Sequence, residues 1–477
     1  MLGYHSGTTH YPSVTVGCGA ISVPLAPVPS AMPTEQRPQV AQPRLRVAIL
    51  GVGTVGAEVA RGFLKSPDRR IGPAGGRMLE LVAIADMNVQ GAVDRGMPRE
   101  LIVPDAFEAL RRDDVDVVVE LLGGDEPSRT LIAEALTKGK PVVTANKHVL
   151  AHHGLELEAI AREHGTALRF EASVCGGTPV LDTIARALAA NKIRRVRGIV
   201  NGSTNFILTE MMQAHRTYDE VLAAAQAQGY AERDPSADVE GHDAANKLAI
   251  LTRLCFGAWP EIDSIVARPP SLRGDGKPGI TGVSANDIAG AVGLGLAIRL
   301  VATASTPGTA EPAFGLAGSV IASAVPVTAP LGRTDGVLNR LEVDADPVGR
   351  VCMEGPGAGG PATSSAVLAD LLEIARCGLS TWADLLPAAP QLVSLADDRD
   401  TVRRPWYICL PGVLPEEVPG RLAEVVIGPP PSSVPRHRSR TWTAIQTRPV
   451  PLGDVREAIA GLIADDRDVT IYPILTS

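Results

Sequence analysis

Short runs of apolar residues alternate with helical periodicity through the first third of the ordered chain. Leu45–Leu50 is apolar and β-prone, and a helical pattern follows it to Leu64. Further apolar runs span Leu79–Ala85, Val115–Leu122 and Pro141–Thr144, with a helix expected up to Lys138. Continuous apolar strands alternating with helices predict a parallel sheet buried on both faces. The texture changes after Ala167. A strand is expected from Phe170 into a glycine-rich turn, a helix over Val180–Ala190, and a strand near Arg197–Asn201. Another helix opens at Gly202-Ser203-Thr204, and a further one ends at Gly229. The Ala-rich stretch Asp287–Ala304 reads as one packed helix, and Thr363–Arg376 as another. Prolines after Leu385 mark a boundary. Beyond it the pattern gives strand (Trp406–Leu410), helix (Gly420–Val426), strand (Thr441–Thr447), helix (Asp454–Ala464) and strand (Asp468–Leu475).

The fold class is therefore α/β, with three parts. A Rossmann-type dinucleotide-binding domain covers 45–168 and is completed by about 352–380. A second, α+β domain covers 169–350, and a small α+β module covers 400–477. Residues 1–44 are proline-rich, almost uncharged and read as a disordered tail, with Met1 and Met32 both open as starts.

Composition narrows the classes. Aromatics are only 3% of the 477 residues, so the cores must be aliphatic. A net charge of -8 with no long basic run argues against nucleic acid as the partner, and no uninterrupted apolar stretch reaches the ~18 residues of a membrane span. The six cysteines are scattered, which suits a reducing, cytoplasmic setting.

Gly51-Val52-Gly53-Thr54-Val55-Gly56 lies between a strand and a helix, the context in which such a turn cradles a pyrophosphate. Gly229–Lys247 is the densest ionisable segment. Asp243 and Lys247 are four apart, on one face of a helix, beside Glu232, Asp238 and Glu240. A lysine held by a carboxylate suits proton exchange with a hydroxyl during hydride transfer. Lys147, just past a strand end, is a second candidate. His148, His152 and His153 share a helical stretch without an evident further metal ligand, and Cys175 has no partner by spacing.

With these motifs in this order, the chain from about 45 to 380 resembles homoserine dehydrogenase. The match rests on the glycine turn, Thr144-Ala145-Asn146-Lys147, Glu171-Ala172-Ser173-Val174 with Gly176-Gly177-Thr178-Pro179, Asn201-Gly202-Ser203-Thr204-Asn205, Gly229–Lys247, and Gly357-Ala358-Gly359. The resemblance implies reversible NAD(P)-linked interconversion of L-homoserine and L-aspartate 4-semialdehyde, on the way to threonine and methionine, by a homodimer or homotetramer, with 169–350 as the α+β catalytic and dimerisation domain. It assigns catalysis to Lys247, Asp243 and Lys147. It assigns substrate contacts to Glu232, Asp238, Tyr230, Gly202 and Ser203, and cofactor contacts to Gly51, Gly53, Thr54, Val55, Gly56, Asp86, Lys147 and Gly357. It also implies a monovalent cation, usually Na+, held by Glu171, Val174, Gly176 and Thr178. Family members that favour NADP often carry arginine where this chain has Asp86, so NAD is the expected cofactor. Arg95 or Lys147 would be the groups to meet a phosphate. Pro419-Gly420-Arg421-Leu422-Ala423 is similar to the opening of an ACT regulatory domain. The proline-rich Gly428–Ser433, falling where a central strand should be, marks that module as degenerate.

Overall fold

The computed structural model describes residues 44–72, 77–306, 315–400, 402–428, 442–463 and 468–476. The expected tail, apart from Arg44, and the proline run after Gly428 lie outside these residues.

The first layer is a largely parallel sheet. Its elements are β1 (Arg44–Leu50), α1 (Thr54–Leu64), β2 (Arg70–Ile71), β3 (Met78–Ala85), α2 (Val89–Asp94) and β4 (Ile102–Val103). They continue with α3 (Ala106–Arg111), β5 (Val117–Glu120), α4 (Ser128–Thr137), β6 (Val142–Thr144), α5 (Lys147–Glu163) and β7 (Leu168–Arg169). The strand order is β2-β3-β1-β5-β6-β7, with β4 beside β3 and β2 antiparallel at the edge. Val47, Ile49, Val117 and Val119 face one core; Ala48, Leu50 and Val118 face the other. The order reverses between β1 and β5, which opens a crevice at their C-terminal ends, the usual ligand position in such sheets.

After β7 the chain does not extend as a strand through the glycine-rich turn: Glu171–Ser173 form a 3-10 turn. Next come β8 (Lys192–Ile199), α6 (Gly202–Ala214), α7 (Tyr218–Ala227), α8 (Ser236–Val239), α9 (His242–Phe256) and α10 (Ala285–Gly293). The expected single helix over Asp287–Ala304 is wrong. It stops at Gly293, Gly295 turns the chain with φ +71°, and β9 (Leu296–Ser305) follows. Alanine favours a helix in isolation, but here small side chains let a strand lie buried between neighbours, and tertiary context wins. Its partner β10 (Ala317–Pro326) is followed by α11 (Pro330–Arg333), β11 (Leu338–Asp346) and β12 (Gly349–Pro356), giving an antiparallel sheet ordered β10-β9-β8-β11-β12. Then α12 (Gly360–Arg376) returns to the first layer, where Val367, Leu371 and Ile374 join Val47, Ile49 and Phe63 in one core.

The last sheet comprises β13 (Trp406–Pro411), β14 (Ala423–Ile427), β15 (Trp442–Thr447) and β16 (Ile471–Pro473), with α13 (Leu452–Ile459) before β16. Its order is β14-β15-β13-β16, antiparallel throughout. The helix expected over Gly420–Val426 is a strand. Pro419 and Gly420 make a turn, and β-branched Val425, Val426 and Ile427 pair with β15.

Two helices decide where the chemistry sits. α5 and α9 lie side by side, clamped at one end by Glu158, whose buried carboxylate accepts Arg253 Nη2 and Nε (2.6 and 2.7 Å) and Trp259 Nε1 (3.0 Å). Their opposite ends carry Lys147 and the Asp243–Lys247 turn.

Candidate active site

The cofactor crevice is built from backbone. Gly56 has no room for a side chain: a Cβ there would lie 2.0 Å from the Gly51 carbonyl oxygen. Gly53 is the opposite case, with nothing within 4 Å of that position, so the turn presents an open backbone face beside the uncapped N-terminus of α1. Such a terminus attracts phosphate. Asp86, at the end of β3, accepts the Val52 amide (3.1 Å) and the Asn88 amide (2.9 Å). The stretch between Gly56 and Asp86 includes the edge strand β2, and Asp86 still reaches the turn. Across the crevice, fully buried Glu120 accepts the amides of Leu122 and Gly123 and the Thr144 hydroxyl, shaping the wall beside Gly123 and Gly124.

A cleft of about 320 Å³ continues from this crevice and is lined by Thr54, Val55, Lys147, Cys175, Lys247, Gly357 and Thr363 among others. Residues scattered over three hundred positions of sequence thus meet at one place. Lys247 is buried, and its Nζ donates to the Val200 carbonyl (2.7 Å) and to Asp243 Oδ2 (2.7 Å). An ammonium has three N–H groups, so one remains for a ligand. Lys147 Nζ approaches Asp243 Oδ1 at 3.3 Å. Burial by itself lowers the pKa of Lys247, but the Asp243 carboxylate reverses this and holds it above the usual lysine value. Burial likewise acts to raise Asp243, yet Lys247 and Lys147 bring it down to about 2. The pair is ionised.

Asn201 Nδ2 donates to both Asp238 Oδ1 (2.7 Å) and Asp243 Oδ2 (2.9 Å). Ser203 Oγ donates to the Tyr230 carbonyl (2.8 Å), and the Tyr230 ring packs against Phe206 at a tilt of 42°. Glu232 is exposed on the same loop, and its carboxylate meets no polar partner among the described residues. The predicted acids therefore divide: Asp238 and Asp243 join the lysines, and Glu232 stands apart. Sequence reasoning gave no role to Asn201 or Glu120. The first carried a signal, as an Asn one residue before a helix start; the second was an acid closing an apolar strand.

The turn around Glu171 is negatively charged. The Glu171 carboxylate accepts the amides of Leu181 (2.9 Å) and Asp182 (2.8 Å), and its own amide donates to Asp370 (2.8 Å). Buried Arg169 bridges Asp370 (2.6 Å) and Asp182 (2.8 Å). Burial, reinforced by Asp370, pushes Glu171 up to about 7; burial pushes Asp370 to about 6 against the pull of Arg169. Glu171, Asp182 and Asp370 surround the fully buried Arg169 guanidinium, and Arg186 reaches Asp182 only at 3.9 Å while pairing with Glu373, so carboxylates outnumber guanidiniums here, which fits a cation. Cys175, with φ +50°, turns the backbone of Val174, Gly176 and Thr178 beside them. Those carbonyls, with the carboxylate, are the all-oxygen donors that a hard ion prefers.

A dinucleotide crevice that opens onto ionised lysine–carboxylate pairs is the site of an NAD(P)-dependent oxidoreductase acting on a small molecule. Two family profiles describe it further: "Homoserine dehydrogenase, NAD binding domain" matches residues 51–171, and "Homoserine dehydrogenase" matches 179–372. The homoserine dehydrogenase of Mycobacterium tuberculosis (strain ATCC 25618 / H37Rv) is 40% identical over 345 residues, covering 72% of this chain and 74% of that protein. The crystal structure of a homoserine dehydrogenase from Thiobacillus denitrificans superposes with a TM-score of 0.76 at 29% identity, covering 91% of this chain and 99% of its own. A hyperthermophilic archaeal homoserine dehydrogenase, solved in complex with NADPH, gives 0.56 at 26% identity over 69% of this chain and 97% of its own. The chain belongs to the homoserine dehydrogenase family, and that is its function. No helix among the described residues is long and apolar enough to cross a membrane.

Proposed function

We propose that Lys247 is the acid–base of the reaction, poised by Asp243, with Lys147 at the junction of cofactor and substrate. The observation that carries this reading is the single N–H of Lys247 left unpaired where the cofactor cleft ends. In the oxidative direction Lys247 takes the proton of the homoserine hydroxyl as hydride leaves the same carbon; in reduction it returns that proton to the carbonyl oxygen of the semialdehyde. The bound nicotinamide supplies or accepts the hydride. Asp243 stabilises the ammonium form and orients it. Asp238, with Glu232 on the exposed polar loop before it, offers carboxylates for the substrate's amino group, while Gly202, Ser203 and Tyr230 border the same space.

NAD is the cofactor this reading favours, because the Asp86 carboxylate suits a ribose diol and repels a 2′-phosphate. Gly51, Gly53, Thr54, Val55 and Gly56 would hold the pyrophosphate, and Gly357 would border the nicotinamide end. Glu171, Val174, Gly176 and Thr178 would hold Na+, supported by the uncompensated charge there. The last sheet has the strand order of a βαββαβ fold, with a 3-10 turn (Pro415–Glu417) in place of its first helix, which supports a reduced ACT-like module. The exposed outer strand β12 supports assembly into a homodimer or homotetramer, and the free described cysteines suit the cytoplasm.

Replacing Lys247 by Ala tests the reading. Turnover should fall by ~10²–10⁴, with NAD(P)H binding unchanged in fluorescence titration; undiminished turnover would remove Lys247 from its role.

A further inference from the structure

We infer that Asn201 is a positioning residue of the reaction, holding Asp238 and Asp243 side by side and fixing which oxygen Asp243 turns to each lysine. This rests on the roles given above to Lys247 and Asp243.

The orientation of the Asn201 carboxamide is not free. Its Oδ1 caps α6, accepting the Thr204 amide and the Thr204 hydroxyl, each at 2.9 Å. The Nδ2 group must then face the other way, and both of its N–H bonds are used, one on Asp238 Oδ1 and one on Asp243 Oδ2. Asp243 Oδ2 thus collects Asn201 and Lys247, which leaves Oδ1 to Lys147. Asn201 is 5% exposed, so water does not replace these donors cheaply. Two carboxylates on different elements, α8 and α9, would otherwise repel; a shared amide donor between them relieves that repulsion. The acid that faces the substrate and the acid that poises Lys247 are joined by one side chain.

The competing explanation is that Asn201 only caps α6. Aspartate and serine cap about as well as asparagine, so substitution separates the two roles. Asn201→Asp keeps the acceptor for Thr204 but replaces the two N–H donors with a third negative oxygen. If Asn201 positions the acids, kcat should fall by ~10²-fold with cofactor affinity intact, the lower end of acid–base contributions. The ascending limb of homoserine oxidation should also move to higher pH, because the added charge opposes deprotonation of Lys247. The groups facing that ammonium are Asp243 from its own helix, Asp238 from α8, Cys175 from the turn after β7, and Lys147 across Asp243. Asn201→Ser keeps the cap without adding charge, and should lose kcat by ~10-fold while KM for NAD(P) holds. It decides the question alone if Asn201→Asp fails to fold by circular dichroism.

A folded serine variant with kcat unchanged overturns the inference, as does an aspartate variant with normal turnover and an unmoved limb. Lys247→Ala run in parallel separates the layers. If it is inactive while both Asn201 variants are normal, only the role of Asn201 is lost. If it is active, the reading of the site beneath is lost as well.

Discussion

Asp243→Asn would remove one charge and almost no volume from the centre of the site. In the native arrangement Asp243 Oδ2 lies 2.7 Å from Lys247 Nζ. At an effective dielectric of about 20, a unit pair at that distance attracts by on the order of 6 kcal/mol. Burial opposes this, since desolvation can lower a buried lysine by up to ~3–5 pH units. The carboxylate outweighs burial and holds Lys247 above its ordinary value. Without the carboxylate, burial acts unopposed. Lys247 should titrate well below its native value. The two directions of reaction then respond oppositely. Oxidation needs the neutral amine, so its ascending limb should shift to lower pH by about the same amount. Reduction needs the ammonium, so the pH at which its rate begins to decline should move down together with that limb. Following NAD(P)H at 340 nm in both directions, over a pH range that extends beyond the ordinary lysine value, measures both limbs. An oxidation limb that stays in place, with reduction unimpaired, would refute the claim that Asp243 sets the protonation of Lys247. Asn201→Asp should displace the same limb the other way, so the two variants bracket the electrostatics of one lysine.

Other outcomes follow from the remaining parts of the site. Asp86→Ser should raise the NADP/NAD ratio of kcat/KM by ~10-fold or more, as the repulsion of a 2′-phosphate is lifted; an unchanged ratio would show that Asp86 does not select. Gly56→Ala forces a methyl against the Gly51 carbonyl and should cost ~1–3 kcal/mol of stability in urea unfolding, with loss of nucleotide binding. Removing Na+ in favour of a bulky organic cation should lower the thermal midpoint. Glu171 titrates near 7 and Asp370 near 6 when folded, against ~4 unfolded. The folded chain therefore holds extra protons between about 4 and 7, and its cation-free stability falls as pH rises through that window. Sodium should stabilise most above pH 7, and equal midpoints with and without it at pH 8 would exclude the site.

What the sequence revealed and what it concealed have separate physical causes. Short apolar runs such as Val115–Leu122, β-branched and closed by glycines, read as buried strands, and a glycine turn between strand and helix has few other uses, so the first domain was legible. Asp243 and Lys247 were legible because helical spacing alone puts them on one face. Asp287–Ala304 misled because alanine carries little pattern: the turn at Gly295 outweighs helix propensity once β8 and β10 are there to pair with the new strand. Gly420–Val426 misled in the same direction, since its strand character comes from pairing with β15, more than a dozen residues away. Lys147 was placed correctly at a strand end, but its approach to Asp243 depends on α5 and α9 lying side by side. That packing is secured by Glu158, Arg253 and Trp259, none of which looks functional in the chain. The same holds for Asn201. Its local signal names a helix cap, and only the fold brings the two acids onto its free amide. A side chain satisfied by one local bond therefore still had two donors unassigned, and asking where such donors go was the step that the linear pattern could not supply.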